Sequence, residues 1–344
     1  MPSSDSARPR VEIVGSGVVG LTCALTFAER GCAVTLIAGS RGPDPSCCSW
    51  WAGGMLAPGC EMESAEPLIG VLGAESMAFW DRLEPKPVKN GTLVVAAARD
   101  TPDLKRFGRV TQGWETADAA RIATLEPDLA DRFATGLFFA GESHFDPREV
   151  LPALVERLKS HGVSFRFEET LSDSHLAAEP DADWRIDCRG LAARDKLPDL
   201  RGVKGEMLLL KTREITLSRP IRLLHPRIPL YIVPRSGGLF MVGATMIESD
   251  ERNRPTVRSM LELLSAAYAL HPAFGEAEMI EIGVDARPAF PDNLPRIRRD
   301  GRTIRINGMY RHGYLAAPAV ARRAADYVLE GRVPDDIGTR GDYE

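Results

Sequence analysis

The chain has 344 residues, 44% of them hydrophobic, enough for about two domains with ordinary cores. Its net charge is −5, with 43 basic and 48 acidic side chains, and it lacks the basic stripe that a nucleic-acid binder needs. No apolar run is long enough to cross a bilayer, and the polar stretch Met1-Pro2-Ser3-Ser4-Asp5-Ser6 reads as a disordered lead-in rather than a signal peptide. The six cysteines form no CxxC pair and no metal-ligand spacing with histidine, so reduced thiols, a cytoplasmic location and no metal site are expected.

The first ordered unit is 11–14, a short β-branched run of the kind found in buried parallel strands. The loop Gly15-Ser16-Gly17-Val18-Val19-Gly20 follows. A helix is expected over 18–30, with Leu21, Leu25 and Ala28 at helical spacing and Gly31 at the C-terminal cap position. A second buried strand is expected over 33–37. Strand, GxGxxG loop, helix and strand together make a βαβ dinucleotide unit. Gly15 permits the tight turn, Gly17 lets backbone approach a pyrophosphate, and Gly20 allows close helix–strand packing. The helix N-terminus adds free N–H groups and partial positive charge. At the end of the second strand such folds usually carry an acid for the ribose; here it is Ala38, followed by Ser40 and Arg41. Ser40 or backbone is then left to hold the ribose. Arg41 suits a 2′-phosphate, so the loop alone leaves an NADP-dependent reductase open beside a flavoenzyme.

Further along, strands are expected over 91–98 and 136–139 with a polar helical stretch between them. Asp146, Pro147 and Glu149 make a helix start for 147–160, and a strand follows over 163–167. Residues 205–243 are strand-rich, and Pro234-Arg235-Ser236-Gly237-Gly238 reads as a hairpin turn. A helix is expected over 258–270. The chain ends with a strand over 303–306, a glycine-containing loop, and a helix to about residue 329 with Pro318 near its start. This interleaving predicts an α/β fold, α+β overall. A Rossmann-like dinucleotide domain would comprise 1–84, 144–204 and 284–344, with an inserted antiparallel-sheet substrate domain formed by 85–143 and 205–283.

The segment Cys48-Ser49-Trp50-Trp51-Ala52-Gly53-Gly54-Met55-Leu56-Ala57-Pro58 closely resembles a motif of the glycine oxidases of the thiamine pathway, FAD enzymes of the D-amino-acid oxidase superfamily. The resemblance continues through Glu61 and Glu63, Phe145-Asp146-Pro147-Arg148, Tyr231-Ile232-Val233-Pro234-Arg235 and Val242-Gly243-Ala244-Thr245-Met246. It ends with Ala286-Arg287-Pro288, Pro291-Asp292-Asn293-Leu294-Pro295, and the run from Gly308 to Pro318. It implies noncovalent FAD, since no cysteine stands in the C-terminal loop. By resemblance, the flavin contacts beyond Gly15, Gly17 and Gly20 are Val18, Val19, Cys48, Ser49, Gly53, Gly54, Met55 and Leu171. The loop Met309, Tyr310, Arg311, His312, Gly313, Tyr314 and Leu315 completes the set. Small residues at 52–54 let backbone lie against a flat ring, and N–H groups at the start of the last helix suit the electron-rich edge of a reduced flavin.

Amine oxidation by flavin needs position and electrostatics more than a catalytic acid or base, so none is expected. It does need a carboxylate anchor, for which the planar guanidinium of arginine is suited. Arg287 and Arg311 match the family's two substrate-side arginines, Tyr231 a pocket tyrosine, and Met246 a pocket-lining residue. Read without the resemblance, they are a surface ion-pair arginine, a loop clamp, a strand aromatic and a core methionine. The resemblance implies oxidation of glycine, with dioxygen as acceptor, to an imine that becomes glyoxylate and ammonia, with hydrogen peroxide formed. In the thiamine pathway the imine would pass to the thiazole-forming enzyme. An oxidase or dehydrogenase for sarcosine or a small D-amino acid is the neighbouring reading. Family members are commonly homo-oligomers.

Overall fold

The structure, a computed structural model, describes residues 8–225, 230–338 and 340–342, so the expected lead-in over 1–6 lies outside the described residues. The chain folds as two compact units. The first comprises Met1–Trp50, Arg148–Arg201 and Arg287–Glu344; the second comprises Trp51–Pro147 and Gly202–Ala286.

The first unit is built on a six-stranded sheet. In spatial order its strands are Arg296–Asp300, Thr303–Asn307, Trp184–Asp187, Arg10–Val14, Ala33–Ala38 and Ser164–Phe167. All neighbours run parallel except the first pair, a hairpin with Arg296 opposite Asn307. The central strand is buried from Val11 to Val14, as a strand covered on both faces must be. The Val18–Glu29 helix packs against the Gly313–Glu330 helix, and Arg30 at its end forms ion pairs with Asp326 and Glu330. The last helix closes on Gly331, in the left-handed conformation that favours glycine (φ 68°). The outermost strand Arg296–Asp300 carries three arginines, and Arg298 is held by Asp199 and Asp342 at 2.7 Å each. Paired charges on an edge strand discourage its pairing with another chain.

The second unit is a nine-stranded sheet. From one edge it runs Ile247–Glu248, Arg201–Lys211, Leu239–Gly243, Leu230–Arg235, Ile221–Leu224, Thr92–Ala96, Thr135–Phe139 and Glu115–Asp118, and Glu278–Ala289 also pairs with Arg201–Lys211. The turn joining Leu230–Arg235 to Leu239–Gly243 places Gly237 and Gly238 at φ 73° and 74°, which accounts for the glycine pair. The sheet is not wholly antiparallel: Ile221–Leu224 runs parallel to Thr92–Ala96. The Val257–Leu270 helix covers one face, burying Leu263, Ala266, Ala267 and Leu270 in a core with Leu208, Leu210, Ile232, Phe240 and Val242.

The first boundary differs from the sequence expectation. Residues 51–84, expected with the dinucleotide domain, lie in the second unit. Met55 pairs with His144 in a short antiparallel ladder, Trp51 packs on Met207, Val233 and Met241, and the Trp80 ring meets Phe145 at 5.1 Å between centroids. Those partners lie far along the chain, so local periodicity does not reveal them.

Candidate functional site

In the first unit the glycine loop has the geometry of an anion cradle. Gly15 has φ 113° and donates its N–H to Ile37 O at 2.8 Å. A Cβ on it would stand 2.6 Å from Cys188 O, and one on Gly20 would stand 1.8 Å from Gly15 O. Gly17 differs, because its backbone is ordinary and the nearest atom to its Cβ position is Ser49 Oγ at 3.3 Å. Its missing side chain leaves room at the helix N-terminus rather than relieving a backbone clash.

Ser49 ties distant segments together. Its Oγ accepts from Val18 N–H at 3.0 Å, and its backbone carbonyl accepts from Tyr314 Oη at 2.9 Å. The Cβ position of Gly313, the first residue of the last helix, is 3.3 Å from Val18 Cγ1. Two helix N-termini, at Val18 and Gly313, therefore converge on one place, and both contribute partial positive charge there. Val19 and Cys48 are half-buried beside this cradle in sequence, while Met309, His312, Tyr314 and Leu315 are buried. Gly308 has φ 79°, and a Cβ on it would lie 2.1 Å from the Phe290 ring. Tyr310, at φ 49°, donates its N–H to Pro288 O at 2.9 Å. That bond holds the Arg287 segment against the Arg311 loop, and both arginines are half-buried.

Residues 10–327 match the family described as DAO, FAD dependent oxidoreductase. The chain belongs to that family. It is 51% identical over 323 residues, 93% of this chain and 96% of the relative, to a Rhizobium etli protein provisionally named thiamine biosynthesis oxidoreductase ThiO. It is 26% identical over 356 residues to the bifunctional protein ThiO/ThiG of Synechocystis, covering 94% of this chain and 52% of that longer protein. Glycine oxidase from Bacillus cereus has the same fold, with a TM-score of 0.79 at 20% identity, covering 94% of this chain and 96% of that one.

The flavoenzyme's first unit fits the dinucleotide. The room left by the missing Gly17 side chain, at the N-terminus of the Val18–Glu29 helix, can take the pyrophosphate. At the ribose end, Ala38 is buried and its carbonyl accepts from Glu169 N–H at 3.0 Å. Ser40 Oγ lies 3.4 Å from Ser16 Oγ and donates to Gly42 O at 2.6 Å. Two hydroxyls thus stand near the place of the usual acid. The NADP reading falls: Arg41 lies at the surface, its side chain 85% exposed and paired with Glu168 at 2.7 Å, and the family is FAD-dependent. Leu171 is a core residue, packed with Val14, Ile37 and Leu176.

In the second unit the small-residue run has a packing reason of its own. The Cβ position of Gly53 lies 3.1 Å from the Tyr231 ring and 3.5 Å from Val233. Gly54 has φ 76°, its Cβ position is 2.1 Å from Phe145 O, and its carbonyl accepts from Phe145 N–H at 3.0 Å. Met55 packs beside Tyr231 on the cluster of Met207, Val233 and Met241. Tyr231 pairs across the ladder with Gly243, whose Cβ position is 3.3 Å from the tyrosine hydroxyl oxygen. Any side chain at 53 or 243 would crowd Tyr231. Met246 is 48% exposed, which excludes the plain core methionine.

Several residues of this unit gave no sequence signal of their role. Glu206 is fully buried and accepts from Thr245 Oγ1 at 3.2 Å and Thr256 N–H at 2.9 Å, with Lys204 Nζ at 3.1 Å. It fixes the segment that carries Met246. Arg235, 2% exposed at its side chain, pairs with Asp146 at 2.9 Å and donates to Ala52 O at 3.1 Å, bracing the start of the glycine pair. A second set joins Cys60, Glu61, Glu142 and Arg222, and His144 is buried separately. Cys60 N–H donates to Glu142 Oε1 at 2.7 Å, and Glu61 pairs with Arg222. Burial raises the Glu142 carboxyl above its usual range. Burial, reinforced by the charges of Arg219 and Arg235, lowers His144 to about 4. Among the described residues no His, Cys, Asp and Glu group is arranged to hold a metal, and no helix is long and apolar enough to cross a membrane.

Proposed function

We propose that this FAD-dependent oxidoreductase is a glycine oxidase that supplies thiamine thiazole synthesis. The observation that carries the reading is the Tyr310 N–H to Pro288 O bond, which holds two arginine-bearing segments together beside the last helix. Arg287 and Arg311 are assigned to the substrate carboxylate, since paired guanidinium donors both bind it and fix its orientation. Tyr231 and Met246 are assigned as further substrate contacts. Gly15, Gly17, Val18, Val19, Gly20, Ser40, Cys48, Ser49, Gly53, Gly54, Met55, Leu171 and residues 309–315 are assigned to FAD. Bound FAD would supply the two-electron acceptor for the substrate α C–H, with dioxygen as the final oxidant. The side chains hold the amino acid so that its α C–H faces that acceptor; none is assigned as acid or base.

The 51% identity to ThiO supports the pathway assignment, and the fusion of ThiO with ThiG in a relative supports passage of the imine to a thiazole-forming partner. The six unbridged cysteines agree with a cytoplasmic enzyme. Self-association of the chain is part of the same reading.

The test is an anaerobic spectral titration of purified yellow protein with glycine, sarcosine and D-alanine, followed by peroxide measurement in air. Bleaching by glycine with the highest kcat/KM is expected. Preference for sarcosine or D-alanine would move the assignment to that substrate, and failure of all three to bleach bound flavin would sink it.

A further inference from the structure

Strand Glu278–Ala289 carries Arg287 and, two residues earlier, the buried Asp285. Alternate residues of a strand share a face, so Gly283, Asp285 and Arg287 point the same way. What that face meets is visible at Gly283, whose Cβ position lies 2.2 Å from the Trp51 ring and 2.8 Å from Met207 Sδ. Both belong to the cluster that includes Tyr231 and Met55. Asp285 thus shares a face with the arginine assigned to the substrate, and its charge has the same sign as the substrate carboxylate. Two residues of strand put about 7 Å between Asp285 and Arg287. At an effective dielectric constant of about 20, unit charges that far apart change binding by on the order of tenfold or more.

Asp285 is answered by Arg252. Arg252 Nε donates to Asp285 Oδ1 at 2.5 Å and Nη2 donates to Oδ2 at 3.2 Å, the two-pronged match of guanidinium to carboxylate. Asp285 Oδ1 also accepts from Ala286 N–H at 2.7 Å. Arg252 is brought there by a segment that runs along strand Arg201–Lys211, with which Glu278–Ala289 also pairs. Ile247 pairs with Lys204, Asp250 accepts from Gly202 N–H at 2.9 Å, and Glu251 pairs with Lys204 at 2.9 Å. Those bonds already hold the segment, so Arg252 is not needed to anchor it.

We propose, resting on the assignment of Arg287 to the substrate carboxylate, that Arg252 is a positioning residue for substrate binding. It neutralises Asp285 and so leaves the positive field of Arg287 to the incoming carboxylate. Without Arg252, the buried Asp285 charge repels the substrate and draws the Arg287 guanidinium towards itself. The effect falls on affinity rather than on hydrogen transfer, because the carboxylate contact is the same before and during the reaction.

Steady-state kinetics of the FAD-loaded protein test this, with whichever of glycine, sarcosine and D-alanine it oxidises best. Arg252→Gln removes the charge but keeps a donor for Asp285; KM should rise about tenfold with kcat close to the parent value. Arg252→Lys keeps the charge and should stay within about threefold of the parent KM. Adding Asp285→Asn to Arg252→Gln should restore KM, whereas a pair that merely braced the fold would not be rescued by losing its second member. Acetate, a bare carboxylate, should show the same order of dissociation constants by its effect on flavin absorbance, without turnover. An unchanged KM in Arg252→Gln overturns the proposal, and so does a raised KM that Asp285→Asn does not restore. If Arg252→Gln does not retain flavin, Asp285→Asn alone decides: KM at or below the parent value is expected, and a rise of about tenfold overturns the proposal. Arg287→Lys separates this role from the functional reading. If it leaves KM and acetate binding unaltered, Arg287 is no anchor and both fall; if it weakens them while Arg252→Gln does not, only the role of Arg252 falls. A parent that oxidises none of the three substrates sinks both.

Discussion

The three glycines of the dinucleotide loop should fail in different ways when changed to alanine. Gly20→Ala places a Cβ 1.8 Å from Gly15 O, more than an ångström inside the 3.0 Å that real Cβ contacts respect. Both atoms belong to backbone, so the helix must move off the strand; overpacking of this kind costs about 3 kcal/mol. Gly15→Ala meets Cys188 O at 2.6 Å and also sits at φ 113°, adding backbone strain of about 1–3 kcal/mol. Gly17→Ala meets only a serine hydroxyl at 3.3 Å, which can give by a few tenths of an ångström, and its φ of −70° suits alanine. Its cost to the flavin-free fold should stay under about 1 kcal/mol, yet its methyl group occupies the pyrophosphate's approach. Thermal unfolding of deflavinated protein should therefore show Gly15→Ala and Gly20→Ala lowered by about 6 °C or more, with Gly17→Ala near the parent. A fluorescence titration with FAD should show Gly17→Ala weakened at least about 100-fold, or ~2.7 kcal/mol. If Gly17→Ala binds FAD as tightly as the parent, or Gly20→Ala leaves the apoprotein midpoint unchanged, the division of labour is wrong.

Ser40→Ala should raise the FAD dissociation constant by about 2- to 10-fold, the worth of one neutral hydrogen bond, while Arg41→Ala leaves it unchanged; the reverse order would return the ribose site to Arg41. Arg287→Lys keeps the charge but loses the two-pronged geometry, so kcat/KM for glycine should fall about 10- to 100-fold with FAD affinity preserved. An unaltered kcat/KM would remove Arg287 from the substrate site. His144 is buried and its pKa drops to about 4, below the value near 6.5 expected in the unfolded chain. The unfolded state thus takes up a proton first as pH falls. The stabilisation is fully present above about pH 6.5 and is lost towards pH 4, by about 3 kcal/mol at most. Urea unfolding of the parent and of His144→Gln at pH 7 and pH 4.5 should show a smaller pH dependence in the variant, and equal dependence would refute a buried neutral histidine.

The sequence by itself determined the local chemistry. The glycine loop, the strand and helix around it, the helices at 147–160 and 313–330, and the hairpin at 234–238 follow from short-range rules of periodicity, capping and turn residues. The motifs at 48–58 and 308–318 carried the flavin assignment that the loop alone left open at Ala38 and Arg41. Tertiary structure decided what those rules do not reach. Ser49 binds both Val18 and Tyr314, 31 and 265 residues away along the chain. Residues 51–84 join the second unit because Met55, Trp51 and Trp80 find partners there. Ile221–Leu224 pairs parallel to a strand more than a hundred residues earlier. Glu206 and His144 look like any other glutamate and histidine until burial and their neighbours give them a role. Each of these rests on contacts between segments distant in sequence, which depend on where whole elements pack, and no local pattern encodes that.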